Sequence, residues 1–138
     1  MNTPISLVLV AHGSRSPVAT EQIEQFTAQL GGRLAGVYQC CKPAFLEMAS
    51  PSIDDCIIDL HKQGINHIHV LPYFLSDGVH VTKDIPAVID SLSERFPEMT
   101  FEVLPAVGLA SQMLDVVDSI VHEAFATHQH VLKLDQTA

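Results

Sequence analysis

Eight histidines stand among 138 residues, and two of them sit where the chain must turn. His12 follows the apolar run Ile5 to Ala11 and precedes Gly13-Ser14. His80 closes the polar, glycine-bearing segment FLSDGVHV, which follows the apolar stretch His67 to Tyr73. Glu47 stands just past the stretch Val37 to Leu46. An imidazole with an ordinary pKa near ~6.5 can accept a proton or ligate a divalent transition metal at neutral pH, and a neighbouring carboxylate tunes both. Two imidazoles and a carboxylate make an open ligand set, suited to an ion that must be taken up and released. The plainer alternative has His12 closing a turn and His80 solvated on a loop. Their joint placement after separate apolar stretches favours the first reading.

The other polar candidates carry less. His67 and His69 alternate with Ile68 and Val70 and share one strand face, which suits packed or rim positions. His122 falls on a helix of ordinary amphipathic spacing, and His128 and His130 belong to the tail. Cys40, Cys41 and Cys56 are odd in number and lack CxxC spacing, so neither a disulfide framework nor a thiolate zinc site is indicated. Ser14, Ser16, Ser50, Ser76 and Gly78 bring short side chains and free amides to the starts of helices, which favours anionic ligands. Arg15, Lys42 and Lys83 add local positive charge there, although capping and solvation account for each of these residues singly.

These residues are held by an alternation of two periodicities. The continuous apolar run Ile5 to Ala11 is that of a strand buried on both faces, hence of a parallel sheet. Ser16-Pro17 is a helix start, followed by Ala19, Ile23, Phe26 and Leu30 at helical spacing, with Gly31-Gly32 placed to end or bend the helix. Val37 to Leu46 is a second strand interrupted by Lys42-Pro43. Ser50-Pro51 repeats the start signal, and Ile53, Cys56, Ile57 and Leu60 form a stripe opposite Asp54, Asp55, Asp59 and Lys62 up to Gly64. A third strand over His67 to Tyr73 leads to a helix through Ile85, Val88, Ile89, Leu92 and Phe96, with Pro86 in its first turn. A short fourth strand, Thr100 to Leu104, suits a sheet edge, and Leu109, Met113, Val116, Ile120 and Ala124 build the last helix and its core stripe.

Four strand–helix alternations predict a three-layer α/β domain over residues 1–127, with a frayed tail over 128–138. The expected sheet is four-stranded and parallel in the flavodoxin-like order 2-1-3-4. Its crevice opens between the first and third strands at their carboxyl ends, where His12 and His80 converge.

Composition narrows the function. Apolar residues make up 47% and charged residues 17%, so the chain folds around a core. Seven basic against 16 acidic residues, a formal charge of -9 and no basic stripe argue against a nucleic-acid partner. No apolar run reaches the ~18 residues of a membrane span, and the first residues lack a basic leader with a small-residue cleavage site. A cytoplasmic protein is expected, with no membrane partner.

Val10-Ala11-His12-Gly13-Ser14-Arg15, then Ala44-Phe45-Leu46-Glu47, then Leu71 to Leu75 running on through Gly78-Val79-His80-Val81 to Asp84-Ile85-Pro86, together resemble the small CbiX family of sirohydrochlorin chelatases. The resemblance implies a class II chelatase that inserts a divalent metal, Co²⁺ foremost and alternatively Fe²⁺ or Ni²⁺, into sirohydrochlorin on a cobalamin or siroheme route. The metal is then a substrate, and no organic cofactor is expected. It further implies that His12 and His80 bind the metal and that His12 accepts a pyrrole proton, with Glu47 as the acidic partner. Ser14, Arg15, Glu47 and the loop Leu75, Ser76, Asp77, Gly78 and Val79 up to His80 would contact the substrate. Long relatives contain two such halves, so a homodimer is expected here.

The chemistry points the same way. Metallation removes two pyrrole protons while ring nitrogens replace the waters of the ion, which calls for weak metal ligands and a nearby base. The net negative charge attracts cations but opposes a polycarboxylate, so local positive groups would have to hold it. A non-catalytic metal or tetrapyrrole carrier could use the same histidines. A histidine phosphatase would want arginine immediately before the histidine, where this chain has Ala11.

Overall fold

The computed structural model describes the backbone of residues 3–136 and the side chains of residues 3–127. Four parallel strands, β1 (Ile5–Ala11), β2 (Cys41–Phe45), β3 (His67–Pro72) and β4 (Thr100–Val103), form one sheet in the order β2-β1-β3-β4. Helices α1 (Pro17–Arg33), α2 (Ile53–Lys62), α3 (Ile85–Arg95) and α4 (Met113–Gln136) follow the strands in turn. The expected strand order is the observed one, and β1 with β3 flanks the switch point.

Alternation along β1 sorts the layers. Val8 and Val10 join Ile68 and Val70 of β3 in one apolar cluster with Ile53, Cys56, Ile57 and Leu60 of α2 and Ile85, Ile89 and Leu92 of α3. Leu7 and Leu9 point to the opposite face and are equally buried. Helix α1 lies over that side and contributes Thr27, whose hydroxyl donates to the Ile23 carbonyl at 2.7 Å.

Several local expectations need correction. β2 begins at Cys41 rather than Val37, because residues before it connect by single bonds such as the Gln39 amide to the Ile5 carbonyl. Lys42-Pro43 does not interrupt it, since an edge strand leaves a proline nitrogen free of ladder duty. Helix α1 runs through Gly31-Gly32 to Arg33. The cap of α2 is Ser52, which accepts from the Asp55 amide at 3.1 Å, whereas Ser50-Pro51 is a cis peptide in the preceding loop.

The largest departure is α4. It starts at Met113, with Leu109 ending a separate 3₁₀ turn (Val107–Leu109). Its expected core stripe is not buried: Val116 and Ile120 are exposed, as are Leu114, Val117, Val121 and Phe125. The amphipathic pattern forms the helix, but among the described residues nothing buries these side chains. The expected tail from 128 begins inside this helix, and its side chains lie outside the described residues.

Candidate functional site

The parallel ladder continues one step past β1 and β2. The Leu46 amide donates to the Ala11 carbonyl and the Glu47 amide to the His12 carbonyl, both at 3.0 Å, so His12 and Glu47 leave the sheet side by side. The Phe45 amide donates to the Pro51 carbonyl at 2.9 Å and closes residues 46–50 into a loop that carries Glu47 outward. Gly13 makes this approach possible. Its φ of 104° lies in the left-handed half of the map, and a Cβ there would overlap the Glu47 carbonyl. Met48, the next residue after Glu47, holds a φ of 63°, the kind of local strain that collects at working sites.

His12 Nε2 stands 2.9 Å from Glu47 Oε1, and His12 Nδ1 is 3.1 Å from the Gly13 carbonyl. A neutral imidazole carries one N–H only. Both of these neighbours only accept, so a neutral ring donates to one of them and turns its lone pair on the other, a mismatch that a second proton or a cation relieves. The His80 ring lies 4.7 Å from the His12 ring, centroid to centroid, tilted by 54°. Its Nδ1 is 2.7 Å from Asp84 Oδ2, and Phe74 packs 6.0 Å away. All four polar side chains remain partly open to solvent.

His80 opens a π-helical turn (His80–Asp84) that runs directly into α3, with the Ile85 amide donating to the His80 carbonyl. The preceding loop is anchored by Gly78, whose carbonyl accepts from the Val81 and Thr82 amides. At its other end the Gly108 amide donates to the Phe74 carbonyl at 2.9 Å. A Cβ on Gly108 would overlap the Leu75 backbone, so this glycine lets the 3₁₀ turn close beneath the loop. Leu75, Ser76, Asp77, Gly78 and Val79 are all exposed.

Thus His12, Glu47 and His80 do come together. Ser14 lies beside them in sequence, but its hydroxyl oxygen already accepts from the Ser16 amide at 3.0 Å. Arg15 is exposed and lines a separate depression of about 480 Å³ with Glu21, Glu24 and Met48, not the imidazole pair. Two features escaped the sequence reading. One is Asp84 as the partner of His80, although the spacing of four residues was visible. The other is an apolar hollow of about 470 Å³ between Phe26, Tyr73, Phe74, Leu75, Val107 and the start of α4, signalled only by the Tyr73-Phe74 pair after β3.

Elsewhere two half-buried histidines, His69 and His61, have polar protein partners. His69 pairs with Tyr38 at 2.8 Å and Glu102 at 3.1 Å, and His61 with Asn66 at 2.8 Å and Glu98 at 3.1 Å. Burial pushes the Cys56 thiol up to about 12, which makes it a core group without reactivity. Among the described residues no group of three His, Cys, Asp or Glu side chains is gathered to hold a metal ion.

A doubly wound α/β domain with an imidazole pair and a carboxylate at its switch point is the class that fold and site define. The family model described as CbiX matches residues 6–124, and the chain belongs to that family. It is 31% identical over 117 residues to a chloroplastic sirohydrochlorin ferrochelatase of Arabidopsis thaliana, a match covering 84% of this chain and 51% of that protein. It is 30% identical over 95 residues to a sirohydrochlorin cobaltochelatase of Methanosarcina acetivorans, covering 69% of this chain and 71% of the other. The fold superposes with a TM-score of 0.75 on the sirohydrochlorin chelatase SirB from Bacillus subtilis subspecies spizizenii in complex with cobalt, at 25% identity, covering 87% of this chain and 50% of that one. The chain therefore spans about half the length of the chloroplast and Bacillus proteins. No described helix is long and apolar enough to cross a membrane.

Proposed function

We propose that this chain is a sirohydrochlorin chelatase, with a divalent metal as its second substrate and Co²⁺ as the foremost ion. The observation that carries the reading is the His12–His80 ring pair with Glu47 on His12. Two imidazoles hold an ion weakly enough to surrender it, with the remaining positions left to water and then to ring nitrogens. Once His12 is relieved of the metal, its Nε2 and Glu47 form a base pair that can take up a pyrrole proton. That carboxylate favours turnover over a carrier, which has no proton to remove. No organic cofactor enters the scheme. Co²⁺ is supported by the Methanosarcina relative and the cobalt-bound Bacillus structure, while the Arabidopsis relative keeps Fe²⁺ in view and Ni²⁺ is a third candidate.

The exposed loop Leu75 to Val79, with Ser14 and Arg15, would meet the substrate's rim. A second copy completes the cleft in this reading, so the chain acts as a homodimer. One fact supports it: the uncovered apolar face of α4. Three free cysteines fit the reducing cytoplasm. Anaerobic initial rates of sirohydrochlorin metallation with Co²⁺, Fe²⁺ and Ni²⁺ test the assignment. Turnover is expected with at least one ion, fastest with Co²⁺. Stoichiometric binding of metal or tetrapyrrole with no acceleration of metallation would leave a carrier instead.

A further inference from the structure

We propose that Asp84 is a positioning residue that fixes the ring nitrogen His80 offers to an incoming divalent ion; the inference rests on the metal-site reading above. A carboxylate only accepts hydrogen bonds, so the 2.7 Å contact of Asp84 Oδ2 with His80 Nδ1 places a hydrogen on Nδ1. Nε2 is left with its lone pair. The partner also holds the ring in one orientation and strengthens its electron donation, as carboxylates behind metal-binding imidazoles do.

Where Asp84 sits makes this use of its carboxylate informative. It immediately precedes α3, the position at which an aspartate ordinarily accepts from the first amides of a helix. Here the backbone is helical (φ −68°, ψ −49°), no side-chain cap bond forms, and Pro86 in the first turn has no N–H to offer. The carboxylate turns back one turn to His80 instead. The π-helical turn joins the two residues, and such single turns recur at functional positions.

His12 differs, because an acceptor faces each of its ring nitrogens and neither contact alone selects a tautomer. Its Nδ1 is engaged by the Gly13 carbonyl, and its Nε2 faces Glu47. An ordinary surface ion pair spaced four residues apart would stabilise the turn without selecting a nitrogen.

Three variants of the full chain separate these outcomes: Asp84→Ala, Asp84→Asn and His80→Ala. Long-range ¹H–¹⁵N correlation on the metal-free protein, above the ordinary imidazole range, reads the tautomer. Wild type and Asp84→Asn are expected to hold His80 as the Nδ1–H form, because the amide oxygen still accepts, whereas Asp84→Ala mixes the two forms. Co²⁺ titration followed by d–d absorption should show about 10- to 100-fold weaker binding in Asp84→Ala, largely restored in Asp84→Asn. If His80→Ala leaves Co²⁺ affinity unchanged, the metal-site reading itself fails. If His80→Ala weakens binding but Asp84→Ala keeps both the Nδ1–H form and wild-type affinity, the positioning role is overturned. A loss in Asp84→Ala that Asp84→Asn does not relieve, with the tautomer unchanged in both, overturns it as well.

Discussion

His12 and His80, one at the end of β1 and the other beyond β3, stand with ring centroids 4.7 Å apart, although they belong to distant parts of the chain. Only the strand order β2-β1-β3-β4 brings those two ends side by side. Glu47 joins from the other flank through the ladder step between its amide and the His12 carbonyl. The pair is therefore a product of topology and register, and the predictions concern what each contributor supplies.

Glu47→Gln keeps the shape of the side chain and removes its charge. An amide completes neither a proton transfer nor an ion pair with His12, so turnover should fall by about 10²-fold or more while the folded structure is retained. Steady-state metallation rates with circular dichroism as a fold check measure this. Near-wild-type turnover would take Glu47 out of the proton step.

Gly13→Ala tests the backbone that seats Glu47. The left-handed φ alone costs a non-glycine residue roughly 1–3 kcal/mol, and the new methyl would collide with the Glu47 carbonyl and displace it. Denaturant unfolding should show a loss of at least that size, with turnover reduced in the fraction that stays folded. Unchanged stability would mean that the His12–Glu47 register is not as close as described.

The same two contacts show what the sequence could and could not disclose. The two-sided burial of β1 and the α2 stripe followed from local periodicity and the strand order from the doubly wound pattern of alternating strands and helices, and with them the meeting of His12, Glu47 and His80 at one edge. The close backbone approaches at Gly13 and Gly108 were not legible, because they depend on what lies opposite in space. Periodicity also misjudged α4: it reports that a face is apolar, not whether the chain itself covers it. Asp84 was hidden for a related reason: its spacing put it within reach of His80, but only the folded chain shows its carboxylate turned to that ring.

The uncovered face of α4 yields a hydrodynamic prediction. Sedimentation at micromolar concentration should give about twice the chain mass of 15.0 kDa. Val117→Glu, in an exposed position of that face, should shift the protein toward monomer and lower turnover on dilution. A monomer that keeps full activity across dilution would refute the shared cleft.

Cys56 sets an alkaline limit. Its thiol, buried among α2 and sheet residues, is held up to about 12 against an ordinary value of 9.0, chiefly by burial. Between those values the unfolded chain releases the proton and the folded chain keeps it, so stability is intact below about 9 and declines as pH rises toward 12. Alkylation of Cys56 in the native protein should be at least about 10²-fold slower than after unfolding. Equal rates in the two states would place Cys56 at the surface.

The central claim is that His12 performs metallation together with His80 and Glu47, and His12→Ala tests it most directly. The measurement is the initial rate of Co²⁺ insertion into sirohydrochlorin, anaerobically and at saturating metal, by variant and wild type with matched circular dichroism. The account predicts a folded variant whose rate falls by about 10²-fold or more, toward the uncatalysed background. A folded His12→Ala protein that retains most of the wild-type rate would contradict it.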